Sequence, residues 1–221
     1  MAGTYKLAEH FISINGEGQR AGELALFLRF AGCNLRCAWC DTAWACGVDA
    51  PHEAVTAERI TEIAAEAYAQ GVRNVTLTGG EPLLQADIAD VMERLVQMGL
   101  RTEIETNGAV ALEPFMQTGC TFTMDYKLPA SGMDRFMRTD NFALLREWDT
   151  VKFVCGSRED VFRAKEIAAQ YKPRCPLYLS AVFGQIEPAE IVEIMKAECM
   201  GNFRLQLQLH KFIWDPNERG V

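Results

Sequence analysis

The chain has 221 residues, 49% of them hydrophobic, which is enough to bury a core within a single domain spanning 1–221. A formal net charge of −8 runs against a nucleic-acid carrier, which would present a basic patch. No apolar run approaches the ~20 residues of a membrane span and no charged-then-apolar leader opens the chain, so a cytoplasmic protein with reduced thiols is expected.

The first informative segment is Phe11-Ile-Ser-Ile-Asn-Gly-Glu-Gly-Gln-Arg-Ala-Gly22, in which Gly16, Gly18 and Gly22 surround Glu17. It reads either as a glycine-rich hairpin with solvated charges or as a ligand loop. The strand Leu24–Phe30 follows and carries Arg29 between Leu28 and Phe30. An arginine among apolar neighbours needs an anionic partner, and a carboxylate suits its two-pronged guanidinium. Further strands are predicted over Arg73–Thr78, Arg101–Glu105, Thr121–Asp125, Thr150–Cys155, Leu177–Val182 and Phe203–Leu209. Between them, helices are predicted over Thr56–Gln70, Ala86–Met98, Leu112–Thr118, Asp140–Glu147, Arg158–Tyr171 and Pro188–Met200. In the first helix Ile60, Ile63, Ala64 and Ala67 form the stripe of a helix lying on a sheet.

Strands alternating with helices form right-handed βαβ units and a parallel sheet, an α/β fold. A complete eight-unit barrel takes about 250 residues. This chain has too few strands, and a partial, open β/α barrel is expected. In such sheets ligands sit at the carboxyl ends of the strands. The chemistry-bearing motifs fall there: the cysteine loop behind Phe30, Thr78-Gly-Gly-Glu-Pro82, Glu105-Thr-Asn-Gly108, Asp125-Tyr-Lys127 and Ser180.

The cysteine loop places Cys33, Cys37 and Cys40 within eight residues, followed by Asp41-Thr42. A structural zinc site or an electron-carrying iron–sulfur cluster normally takes four protein ligands, whereas three leave a position open for substrate or cofactor. Cys46, Cys120, Cys155, Cys175 and Cys199 are scattered and read as packing residues. In Thr78–Pro82 the paired glycines remove both Cβ atoms and permit close backbone approach, and the glutamate behind them is expected to be buried. Glu105 and Asn107 suit either a cofactor contact or a helix cap. Lys127 is either a point charge for an anionic ligand or a solvated lysine.

The spacing C-x3-C-x2-C resembles the cluster loop of radical S-adenosylmethionine (SAM) enzymes. In that superfamily three cysteines hold a [4Fe–4S] cluster and SAM chelates the fourth iron. The longer pattern N-G-E-G-x-x-x-G, then F-x-R-F-x-G-C-N-L-x-C-x-x-C-D-T, with T-G-G-E-P, E-T-N-G and the closing Gln208-Leu-His-Lys211, resembles the 7-carboxy-7-deazaguanine synthase family of the queuosine pathway. The resemblance implies a lyase that converts 6-carboxy-5,6,7,8-tetrahydropterin to 7-carboxy-7-deazaguanine with loss of ammonia. It implies Cys33, Cys37 and Cys40 at the cluster, and Gly80, Glu105, Asn107, Asp125, Tyr126, Lys127 and Ser180 around SAM. It implies Ile14, Asn15, Gly16, Glu17, Arg29, Thr78 and His210 around the pterin, with Glu17, Arg29 and His210 acting in catalysis and Thr42 binding Mg2+. A homodimer and an electron donor such as flavodoxin or ferredoxin complete the expectation. The family often has Ser-Pro-Lys where this chain has Asp125-Tyr126-Lys127, and some members end near Pro216 where this chain continues to Val221. Two rival readings are an activating enzyme for glycyl-radical proteins, which shares the cysteine spacing, and a non-catalytic iron–sulfur or zinc module.

Overall fold

The computed structural model describes residues 3–215 and 218–221, so Pro216 lies outside the described residues. In chain order the elements are β1 (Thr4–Ile14), β2 (Leu24–Phe30), β3 (Glu53–Thr56), α1 (Ala57–Ala69), β4 (Asn74–Gly79), α2 (Ile88–Gln97), β5 (Arg101–Thr106), β6 (Thr121–Asp125), β7 (Thr150–Cys155), α3 (Arg158–Tyr171), β8 (Leu177–Ala181), α4 (Pro188–Ala197), β9 (Phe203–Gln206) and α5 (His210–Ile213). One sheet holds all the strands in the order β3-β1-β2-β4-β5-β6-β7-β8-β9. From β2 to β9 every pairing is parallel, while β1 runs antiparallel to both β2 and β3. The sheet does not close, and the expected partial barrel is what forms. No helix among the described residues is long and apolar enough to cross a membrane.

Two strands escaped the sequence reading. β1 carries a register shift between Leu7 and Glu9, which breaks the alternation that would betray it. β3 is only four residues long. Two expected helices are short 3₁₀ turns instead. At Glu113–Phe115, Pro114 limits the segment to a single turn. At Thr139–Ala143, the Asn141 side chain binds the Leu112 N–H and the Val110 carbonyl, which diverts it from a helical role.

The core lies between the sheet and its helices. Leu26, Leu28 and Phe30 of β2, Val75 and Leu77 of β4, Ile104 of β5 and Phe153 of β7 join Ile60, Ile63 and Ala64 of α1 and Val91, Met92 and Leu95 of α2 in one buried cluster. The alternate residues of the same strands point the other way. Arg29 stands beside Thr78, Thr76 beside Glu103, Glu105 beside Thr123 and Asp125 beside Lys152. The second face of the sheet is therefore a polar chamber.

Candidate active site

That chamber opens at the carboxyl ends of the strands as a cavity of about 570 Å³. Its lining includes the cysteine loop, Gly80, Glu105, Asn107, Lys152 and His210. The cysteine loop is fixed to its surroundings through backbone. Gly32 N–H donates to the Ala45 carbonyl at 2.8 Å and Cys33 N–H to the Cys46 carbonyl at 3.1 Å. On the other side, Gly80 N–H donates to the Phe30 carbonyl at 2.9 Å and Glu81 N–H to the Gly32 carbonyl at 2.8 Å. A Cβ on Gly79 would stand 2.1 Å from the Phe30 oxygen, and one on Gly80 would stand 2.2 Å from the Gly32 oxygen. The paired glycines therefore serve first a backbone-to-backbone approach that no side chain permits.

Glu81 is fully buried and does not face the cavity. It accepts from Leu83 N–H, Thr106 Oγ1 and Asn107 N–H, bracing the end of β4 against the end of β5. Burial pushes its carboxyl up to about 7 against those three donors.

Cys33, Cys37 and Cys40 are half-buried free thiols lining the cavity. Hydrogen bonding from Cys46 draws Cys33 and Cys40 down to about 6, while burial raises Cys37. Cys46, read from the sequence as packing, is buried but touches the set, with its sulfur 3.8 Å from Cys40 Sγ. Among the described residues no three His, Cys, Asp or Glu side chains converge tightly enough for a single metal ion. Donors spread over the corners of a cluster need no such convergence, and an all-thiol set suits iron–sulfur chemistry. Asn107 Nδ2 reaches Cys33 Sγ at 3.6 Å and Asn34 Oδ1 at 2.8 Å. Thr42 Oγ1 lies 3.7 Å from Cys40 Sγ at the cavity wall.

The opposite wall gathers the residues from the N-terminal block. Glu17 is 11% exposed and is held by Lys152 Nζ at 3.0 Å and Ser180 Oγ at 3.1 Å. Ser180, expected beside SAM, is thus joined to Glu17, expected beside the pterin. Arg29 Nε pairs with Glu9 at 2.7 Å, and its guanidinium lies 6.0 Å from the Phe11 ring. Among the described residues no other carboxylate pairs with Arg29, so its terminal nitrogens remain for an anion. His210 packs on Gly16, where an added Cβ would meet its Nδ1 at 2.5 Å, and Leu209 N–H donates to the Gly16 carbonyl. Burial lowers the His210 pKa and favours a neutral imidazole. Ile14 and Gly16 line the cavity, but Asn15 turns inward, where its Oδ1 accepts from Thr76. Thr78 donates to Glu105 at 2.8 Å.

Asp125 and Lys127 face the cavity 2.9 Å apart, whereas Tyr126 between them does not. Its ring packs with Phe142 and Phe153 at 5.4 and 5.8 Å, because alternation along the chain sends it to the apolar side. The Tyr126 ring, expected beside the cofactor, is thus a core side chain, and only its backbone lies between the two cavity residues. The sequence reading passed over two groups here, Glu9 and Lys152. Lys152 had a signal, namely a lysine inside a six-residue strand that is otherwise mostly apolar. Beyond Pro216, residues 218–221 line the cavity mouth, with the Arg219 guanidinium 4.4 Å from the Trp44 ring.

The Radical SAM superfamily model matches residues 28–142. The chain is 47% identical to a 7-carboxy-7-deazaguanine synthase from Clostridium acetobutylicum over 98% of its own length and 99% of that protein's. It is 34% identical to one from Methanospirillum hungatei over 96% and 86% of the two lengths. Among solved structures it is similar to QueE from Escherichia coli, with a TM-score of 0.69 at 24% identity over 92% of this chain and 93% of that one.

Proposed function

The chain belongs to the 7-carboxy-7-deazaguanine synthase family of the radical SAM superfamily, and from that membership we propose that its cavity converts 6-carboxy-5,6,7,8-tetrahydropterin to 7-carboxy-7-deazaguanine with loss of ammonia. The observation that carries the reading is the meeting in one cavity of an open thiol triad with Glu17, Arg29 and His210. A [4Fe–4S] cluster with SAM supplies, when bound, one-electron cleavage of SAM and removal of a substrate hydrogen.

Cys33, Cys37 and Cys40 hold the cluster, and the low pKa of two of them favours the thiolates it needs. Asn107 and Gly80 stand beside it on the SAM side, with Glu105 and the Asp125–Lys127 pair further along the same wall. Lys127 meets the SAM carboxylate. Arg29 presents its terminal nitrogens to the substrate carboxylate, with Glu9 fixing the other edge of the guanidinium. Glu17 accepts N–H donors from the guanidine-like edge of the pterin. The backbone of Ile14, Asn15 and Gly16 borders the ring, with Thr78 close by and neutral His210 over Gly16. Thr42, at the cavity wall, would hold a Mg2+ ion, which would help orient the substrate and balance its charge. A homodimer and reduction by flavodoxin or ferredoxin belong to the same proposal.

The test is anaerobic incubation of cluster-loaded protein with the pterin, SAM, a reductant and Mg2+, read by mass spectrometry. Appearance of 7-carboxy-7-deazaguanine supports the reading. SAM cleavage with no deazaguanine turns it toward an activating enzyme acting on a protein, and absence of SAM binding turns it toward a non-catalytic module. Thr42→Ala is expected to keep the cluster's visible absorbance and lose most of the stimulation by Mg2+. Unchanged stimulation removes Thr42 from the metal.

A further inference from the structure

Four charged side chains form a continuous row along the cavity wall. Glu17 Oε2 is 3.0 Å from Lys152 Nζ, Lys152 Nζ is 3.5 Å from Asp125 Oδ2, and Asp125 Oδ2 is 2.9 Å from Lys127 Nζ. Lys127 in turn lies 5.1 Å from the Trp39 ring of the cysteine loop. The signs alternate from the glycine-rich block to the cluster loop, and each of the four side chains is at most 18% exposed. Among the described residues, Lys152 and Lys127 are the cations paired with these two carboxylates, and Lys152 is shared between them. Asp125 is the needier of the two, because its Oδ1 is buried without a hydrogen-bond partner, whereas Glu17 also has Ser180. Burial alone would lower the Lys152 pKa, but Glu17 and then Asp125 hold it well above the usual lysine value.

We propose that Lys152 is a positioning residue, shared by Glu17 and Asp125, that couples SAM binding to pterin binding. The inference rests on the reading above, in which Lys127 meets the SAM carboxylate and Glu17 meets the pterin edge. When the SAM carboxylate draws on Lys127, Asp125, a side chain only 18% exposed, loses part of its pairing. Lys152 then moves from Glu17 toward Asp125. Glu17 Oε2 is uncovered for the N–H donors of the pterin. In the other direction, pterin donors on Glu17 take the place of the ammonium, Lys152 settles on Asp125, and Lys127 is released for SAM. Each ligand thereby prepares the site of the other, and linkage makes the two effects equal.

Equilibrium dialysis of SAM against anaerobic, cluster-loaded protein, with and without 6-carboxytetrahydropterin and with no reductant, reads the coupling without turnover. In the wild type the pterin is expected to tighten SAM roughly tenfold, within the usual range of coupling between two sites. Lys152→Met is expected to keep the cluster absorbance and bind each ligand, with the factor reduced to near one. Asp125→Asn, close to isosteric, removes the competing anion and is expected to lose the coupling in the same way, which keeps the inference testable should Lys152→Met fail to fold. Lys152→Arg, which retains the charge, is expected to keep most of it. An unchanged factor in Lys152→Met or Asp125→Asn overturns the inference and leaves the proposed function standing, as does a wild type that binds both ligands independently. A wild type that binds SAM but no pterin overturns both.

Discussion

On β7, Val151, Phe153 and Cys155 turn toward the helices and are wholly buried in hydrocarbon, while Lys152 among them is also buried but lines the cavity and pairs with carboxylates. The same contrast recurs on β5, where Ile104 joins the core and its neighbours Glu103 and Glu105 face the chamber, and on β2 with Leu28 and Arg29. A parallel strand covered on both faces normally reads as an unbroken apolar run. The side chains that interrupt these runs sit on the face that lines a site. One face therefore carries most of the stability, and the other bears the desolvation of its charges in exchange for chemistry.

Substitutions that separate the two faces test this division. The largest effect is expected at Cys37→Ala, with outright loss of the cluster's visible absorbance and of SAM cleavage; Cys46→Ala, which removes the sulfur next to Cys40, retains both. A variant at Cys37 that keeps either signal breaks the assignment of the chamber. On the apolar face, Leu77→Ala empties a fully buried site and is expected to cost about 4 kcal/mol in urea unfolding, with kcat of the folded enzyme unchanged. On the polar face, Glu17→Gln is expected to act chiefly on turnover: kcat/KM falls about a hundredfold, or about 3 kcal/mol, while the melting temperature drops only in part, since Asp125 still faces Lys152.

A pH profile sharpens the comparison. Burial holds the Glu103 carboxyl at about 7, with Thr123 donating to it. A carboxyl raised above its unfolded value of 4.5 favours the fold when protonated, so its contribution is complete below about pH 4.5 and lost as pH rises through 7. Between pH 5 and 8 that loss amounts to about 2 to 3 kcal/mol. Glu103→Gln keeps an acceptor for Thr123 and is expected to be steadier over this range by that amount, as urea midpoints at the two ends would report. Equal slopes for variant and wild type exclude Glu103 as the source. The smallest effect is expected at Lys196→Ala, whose pair with Glu193 is exposed on α4; a change under about 0.5 kcal/mol marks the background against which the others are judged.

Much of this was legible in the residues. Strands Leu24–Phe30, Thr121–Asp125 and Thr150–Cys155 and the helix Arg158–Tyr171 form with the expected limits, because each is bounded by turn or capping residues and has an unbroken pattern. The cluster loop and the chamber residues on successive strand ends were likewise readable, since topology alone brings those ends together. What stayed hidden depended on contacts distant in sequence. Nothing local says that Glu9 restrains Arg29 20 residues away, or that Lys152 answers Glu17 across 135 residues. The turn around Tyr126 shows the limit of a motif: it names a position beside the ligand, while strand alternation decides that the ring packs in the core.

The interlocked peptides of Phe30–Gly32 and Gly79–Glu81 carry one last consequence. Because two main-chain hydrogen bonds lock this corner, oxidative destruction of the cofactor is expected to leave these peptides in register, ready to be refilled. Damage by air then becomes a repairable wound, unlike the collapse that follows when a zinc finger is stripped of its ion.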